Sequence, residues 1–389
     1  MPPKAVEGSL EGLKSLVQST IGLIHQLESN LHAIALDETL PESPTPLPAN
    51  NAAGSVDALS LAHDSASLVK AHTTKLSLLI INEPFTPSAI IKVLRELVSG
   101  PIPAIASAVQ LCTADTHTTV ARQDLAWRCY RIVKELGGLV ETIPLDGKIL
   151  PVDRKDGTNG NKGSIVATGV IWAACDDVIL LKRLGIAGLL VKKVEEYRDT
   201  LKDVLEELKE WGEEVDEEED DEDDDDDDVD DGEDNDVQHI TSKLQSTGLS
   251  AQQMVDDFMA SQHIPRDDPD QIRERLDSCL KRLRLTTLLY SAIIKRRIKT
   301  LPSLPSKQPT LIAHCLDEVY PILKRLPQRF EEVTCAFYEL DPAAIDGAMD
   351  SCFHDASVVA EMLKAPWDGK QDEFTEWAAK FQVSIKKFD

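Results

Sequence analysis

The chain has 389 residues, 41 Lys and Arg against 68 Asp and Glu, a formal net charge of −27, and 42% apolar residues. That length suits two domains, each able to enclose a core. The charge excludes a dedicated nucleic-acid binder, because neither residues 1–212 (21 Lys/Arg, 26 Asp/Glu) nor residues 237–389 (20 and 22) are basic.

The start, Met1-Pro2-Pro3-Lys4, lacks the apolar core of a signal peptide, and no unbroken apolar run reaches the length of a membrane helix. The expectation is a protein of cytoplasm and nucleus without membrane contact. Seven widely spaced cysteines (112, 129, 175, 279, 315, 335 and 352) read as small buried thiols in a reducing compartment, not as a disulfide frame.

From Leu10 the apolar residues fall at 10, 13, 17, 21, 24, 27, 31 and 34, the alternating step of three and four that predicts a long helix packed along one face. Residues 36–51 hold four prolines and read as a connector. The spacing of Ala62, Ala66, Val69, Thr73, Leu76 and Ile80 predicts a second helix, with Ser55 as its N-cap. Thr86-Pro87 starts a third, running to Val98, and Ser99-Gly-Pro-Ile-Pro103 breaks the chain before a fourth that ends near Cys112. Asp115 or Thr116 is expected to cap the next helix, which Gly137-Gly138 should stop.

Residues 144–164, with two prolines and four glycines, read as a loop. It is not a phosphate-binding loop, since Lys162 precedes its glycine and no strand leads in. Helical spacing resumes at Ile165 and turns near Gly185. The clearest repeat of the chain follows: Ala187, Leu190, Val194, Tyr197, Leu201, Val204, Leu208 and Trp211, the core seam of a bundle helix or, alternatively, an intermolecular zipper.

The run Glu213–Asp236 is then acidic at 20 of 24 positions, and without it the chain carries only −7. As a helix it would set like charges three and four apart at about 0.2–0.5 kcal/mol per pair, with no apolar stripe in return, so disorder is expected. It reads as a solvated spacer, or as a lure for a basic partner in which Glu217, Asp220 and Asp224 are candidate contacts.

A short helix at 250–259 and a linker at 264–269 precede the basic helix 270–299. Lys281, Arg282, Arg284, Lys295, Arg296 and Arg297 flank its apolar stripe and are candidate interaction residues. The preferred reading is a solvated helix face. The spacing of Lys281-Arg282 from Lys295-Arg296-Arg297 also matches a bipartite nuclear import signal, and a nucleic-acid contact is the remaining reading. The acidic run could itself pair with this helix and compete with partners for it. Residues 310–338 are helical but interrupted by Pro321 and Pro327, which should kink or split them. Asp341-Pro342 opens a helix to about Leu363, and a last one spans roughly 371–386.

The expected fold is therefore all-α: two antiparallel helical bundles at 6–212 and 249–389, separated by a disordered acidic linker at 213–248. Catalytic and metal motifs are absent from the sequence. His314-Cys315 and Cys352 with His354 lack the recurring short spacings of a zinc site, so no cofactor, metal or small-molecule substrate is expected, and no enzyme.

Several segments in order, Leu97–Leu111, Gly169–Cys175, Gly188–Lys193, the acidic region, Ser278–Leu285 and Leu316–Pro321, resemble those of the cyclin-D-binding (cyclin-D-interacting) protein family. The resemblance covers most of the chain. It implies five-helix bundles of the vinculin type and a regulatory adaptor that restrains cell-cycle progression. Its partners would be a cyclin, a kinase complex or a helix-loop-helix transcription factor. An acidic chaperone of basic proteins such as histones is the alternative that the acidic run supports.

Overall fold

Wherever apolar residues recur three and four apart the backbone is helical, and the described residues include no strand. The computed structural model describes residues 4–37, 57–151, 163–213, 263–304 and 309–386. The helices are α1 Lys4–Ala35, α2 Ala58–Ile81, α3 Pro87–Ser99, α4 Pro101–Leu111, the single turn α5 Ala114–His117, α6 Thr119–Glu141 and α7 Ser164–Glu213. They continue with α8 Ile272–Ile293, a π-helical turn Ile294–Ile298, α9 Pro309–Tyr338, α10 Pro342–Met362 and α11 Glu373–Lys386. The acidic run beyond Glu213, with Glu217, Asp220 and Asp224, lies outside the described residues. So do the connector from 38 to 56, the centre of the glycine-rich loop and the helix expected at 250–259.

The chain forms two compact units, neither of them continuous in sequence. One contains residues up to Val194 with Ile293–Pro321 and Ala365–Lys370; the other contains Glu195–Ala292, Ile322–Lys364 and Gln371–Asp389.

In the first unit α1 packs along α6 and α3, and α2 along α3 and α4. At Gly137 α6 lies close against α1, since a Cβ there would stand 3.0 Å from Ile24 Cγ2. This revises the expectation that Gly137-Gly138 stops α6. The helix runs on to Glu141, and Gly137 serves packing instead of termination. The α2 cap is Asp57, not Ser55: its carboxylate accepts from the Ser60 amide at 2.9 Å and also from Lys182 on α7. A second link joins the same two helices, where the Lys70 ammonium lies 2.6 Å from Asp176 and 5.9 Å from the centre of the Trp172 ring.

Helix α6 is capped by Thr118, two or three residues later than expected, because the chain first makes α5. Thr118 holds φ 92°, and its hydroxyl accepts from the Ala121 amide at 3.2 Å. In α7 the expected turn falls at Gly185, whose φ of 65° suits glycine. An eighteen-residue window of α7 is apolar enough by length and composition to cross a membrane, although the sequence holds no unbroken run of that kind. Within the protein the same helix buries Ile171, Ala174, Cys175, Val178 and Leu181, as a core helix does.

In the second unit the residues of α7 from 195 onward contribute Leu201, Val204, Leu208 and Trp211 to the core, so the heptad pattern faces inward. Trp211 packs against Phe337 and Tyr338 of α9, with ring centres 6.0 and 5.5 Å apart. Helix α9 is continuous through Pro321 and Pro327, contrary to the expected kink or split. The carbonyl that Pro327 deprives of its helical donor belongs to Leu323, and it accepts instead from the buried Tyr290 hydroxyl at 2.7 Å.

Candidate functional site

The described residues line a cleft of about 630 Å³ in the second unit, formed by α8 and α10 together with Gln271, which precedes α8. Helix α8 contributes Glu274, Arg275, Asp277, Ser278, Lys281 and Arg282, and α10 contributes Asp346, Met349 and Asp350. On both helices these positions recur at steps of three and four, so each wall is a single face. An aspartate side chain caps the start of each helix. Asp268 accepts from the amides of Ile272 and Arg273 at 2.7 and 2.9 Å, and Asp341 from those of Ala343 and Ala344 at 2.9 and 3.1 Å. Pro342 at the first position of α10 lacks the amide that would otherwise go unpaired.

A two-pronged ion pair joins the two walls of the cleft. Arg275 Nε and Nη2 donate to the two oxygens of Asp346 at 2.9 and 3.1 Å, which holds the guanidinium pKa above its ordinary value. The Arg282 guanidinium, which lines the cleft, lies 3.9 Å from the centre of the Phe353 ring, a cation–π contact. Lys281, Glu274, Asp277 and Asp350 are exposed, so carboxylates and a cation stand on facing walls. A second cluster on α10 orients that helix against α9: Arg325 and Arg329 both reach the nearly buried Asp355, at 2.7 and 2.8 Å, and Arg329 also reaches Ser351 at 2.6 Å.

This arrangement can read charge on a partner, and it presents no activated nucleophile. Cys279 follows Ser278 in α8 but is fully buried, and burial pushes its thiol pKa up to about 12. Among the described residues no three His, Cys, Asp or Glu side chains converge as a metal site. His314 is exposed and pairs with Glu318 one turn on, at 3.1 Å, while Cys352 is buried and His354 exposed.

The cleft brings together Lys281 and Arg282 of the residues singled out in the sequence. Arg284, on the next turn, is exposed and does not line it. Lys295, Arg296 and Arg297 belong to the first unit, in the π-helical turn. Lys295 and Arg296 are exposed there, but Arg297 is fully buried. Arg297 Nη1 donates to the Arg296 carbonyl at 2.8 Å, and the Arg297 carbonyl accepts from the Trp367 indole at 2.8 Å. The solvated-face reading therefore fails at Arg297. The segment is also helical throughout, so it does not present two extended basic clusters.

Sequence reasoning counted Arg275 among the cations of the basic helix without singling it out as a site residue, and it missed Asp346 and Asp350. Asp346 and Asp350 are one turn apart behind a strong Asp-Pro helix start, which was a usable signal. That they face α8 depends on packing, which a single sequence does not state.

Residues 62–214 match the family described as Grap2 and cyclin-D-interacting, N-terminal, so the resemblance noted in the sequence holds over that stretch. The matched residues run from within α2 to just past the end of α7. An uncharacterized protein of Schizosaccharomyces pombe is 22% identical over 324 residues, covering 83% of this chain and 82% of its own length.

Proposed function

We propose that the protein is a non-enzymatic regulatory adaptor of cytoplasm and nucleus, built on five-helix bundles of the vinculin type. It restrains cell-cycle progression by binding a cyclin, a kinase complex or a helix-loop-helix transcription factor. The observation that carries this reading is the match of residues 62–214 to a family described as cyclin-D-interacting. The cleft between α8 and α10 supports it with a charged surface suited to a protein partner.

The test is capture of a purified D-type cyclin by the immobilised full chain in mild salt. Binding is expected, and Lys281→Glu combined with Asp350→Lys should weaken it about tenfold if the cleft takes part. Retention of no cyclin, kinase complex or transcription factor defeats the reading. Undiminished binding by the double variant keeps the adaptor role and moves the contact elsewhere.

The 20 acidic residues of 213–236 favour a second reading, an acidic chaperone of basic proteins such as histones. Histone binding that weakens steeply with salt and disappears on deletion of 213–236 supports it. Equal binding by the deletion variant removes it.

A further inference from the structure

Helix α2 has two faces of regular spacing. Its buried face, Ala62, Ala66, Val69, Thr73, Leu76 and Ile80, belongs to the core of the first unit. Its outer face carries Leu61, Asp64, Leu68, Ala71, Lys75 and Leu78, at steps of three, four, three, four and three. All of these except the half-buried Leu61 are exposed, with Leu68 at 50% and Leu78 at 52%. An unbroken alternation of this kind has the spacing of a two-helix coiled-coil seam, here facing solvent.

The order of residues in the seam matches its own reverse. Laid antiparallel on a second copy, with the two-fold axis between Val69 and Lys70, Leu61 meets Leu78, Asp64 meets Lys75, and Leu68 meets Ala71. The other half of the seam repeats the same three pairings. Antiparallel coiled coils pair the first seam position of one helix with the second seam position of the other, and this register obeys that rule in all six layers. The apolar layers fall opposite apolar layers, and each charge falls opposite its counter-charge. A shift by one heptad would set Asp64 against Leu68 in one direction, or Lys75 against Ala71 in the other, and leave seam positions at one helix end without partners. The charges therefore also select the register. Asp64 is available for this role. Its side chain is 76% exposed, and its neighbour within the chain is the adjacent His63 ring at 2.9 Å.

We infer that the outer face of α2 is an isologous interface through which two copies of this chain pair antiparallel. The seam spans roughly 26 Å at about 1.5 Å per residue, which makes a small interface and a weak, concentration-dependent dimer. Small Ala71 opposite Leu68 on both sides of the axis lets the helices approach closely at the centre.

The test is sedimentation equilibrium of the full chain and its variants up to about 100 µM, the range in which so small an interface is populated. The wild type is expected to show a monomer–dimer equilibrium. Lys75→Asp sets Asp64 against a second carboxylate at both ends and should weaken dimerisation at least about tenfold. Adding Asp64→Lys restores opposite charges in the reversed sense and should return the affinity to within about threefold of wild type. Leu68→Glu should abolish the dimer, with helicity by circular dichroism showing that the exposed site has not cost the fold. A wild type that stays monomeric throughout overturns the inference. So does a dimer that survives Lys75→Asp, or one that the double charge exchange fails to restore.

Discussion

The Tyr290 hydroxyl donates at 2.7 Å to the Leu323 carbonyl, the group in α9 that Pro327 leaves without a helical donor. The hydroxyl is fully buried, and burial pushes its pKa well above the usual tyrosine value, so it keeps its proton and stays a donor. A side chain of α8 thereby repairs α9 from outside the helix. Tyr290→Phe should destabilise the protein by about 1–3 kcal/mol, the cost of a buried unpaired carbonyl. In a Pro327→Ala background residue 327 regains its amide and can bond Leu323 itself. There the same Tyr290→Phe change should cost about 1 kcal/mol less. Urea unfolding of the four proteins measures the coupling, and equal costs in both backgrounds would show that the carbonyl is not what the hydroxyl satisfies.

The two glycines of α6 give opposite outcomes from the same kind of change. A Cβ on Gly138 meets nothing within 4 Å, so Gly138→Ala should stabilise by about 0.5–1 kcal/mol through helix propensity alone. Gly137 is in tight contact with Ile24, and Gly137→Val, which adds bulk there, should cost about 1–3 kcal/mol. Thermal unfolding monitored by far-ultraviolet circular dichroism separates the two. A shared sign would mean that α1 can move away from α6 at no cost.

These positions also show how far the sequence could be read. The apolar periodicity of α1, α2, α6 and α7 reports burial directly, so helix existence and core faces were legible. What helix ends and prolines do depends on neighbours distant in sequence. Gly137 reads as a stop until Ile24 is seen against it, and Pro327 reads as a break until Tyr290 supplies the missing donor. The candidate cleft follows the same division. Lys281 and Arg282 stood out as part of a basic run, while Asp346 and Asp350 acquire meaning only once α10 is set against α8. Arg297, counted with the solvated cations, is buried, because the α-helical repeat of α8 gives way there to a wider π-helical turn that changes which residues face inward.

Two aspartates of the first unit should respond to acid in opposite senses. Burial pushes the Asp57 carboxyl up, but hydrogen bonds from Lys182 and Ser60 outweigh it and hold the pKa below its ordinary 3.8. Its folded pKa is thus depressed, so the stability it contributes is present above about 3.8 and lost as pH falls through the folded value. Asp317 accepts from the Thr119 amide at 2.8 and 3.0 Å and from its hydroxyl at 2.9 Å, at the start of α6. Burial nevertheless outweighs those bonds and raises its pKa above 3.8. The folded state therefore holds this proton more tightly, and the associated stability, complete below about 3.8, is lost as pH rises through the raised value. Chemical denaturation between about pH 3 and 6 should show Asp57→Asn flattening the acid-side loss and Asp317→Asn removing a slope of the opposite sign. A common sign would contradict the balance of burial and hydrogen bonding at one of the two sites.

The cysteines are sorted by burial into one reactive thiol and several protected ones. Cys335 is exposed, and Cys315 is half-buried with its pKa raised by burial and by the nearby Glu318. Cys112, Cys129, Cys175, Cys279 and Cys352 are buried, and burial raises the pKa of each; for Cys112, Cys175 and Cys279 it reaches about 12. A thiol with a pKa near 12 is thiolate in only about one part in 10⁵ at pH 7, and its burial also keeps reagent away. Titration of the native protein with a disulfide reagent at about pH 8 should therefore label Cys335 quickly and Cys315 slowly. The other five should react only at the rate of unfolding, and denaturant should release them together within each unit. Cys335→Ser should remove the fast phase without altering stability by more than about 0.5 kcal/mol, because nothing packs over an exposed thiol. A second fast thiol in that variant would mean that one of the units opens locally far more often than its buried core implies.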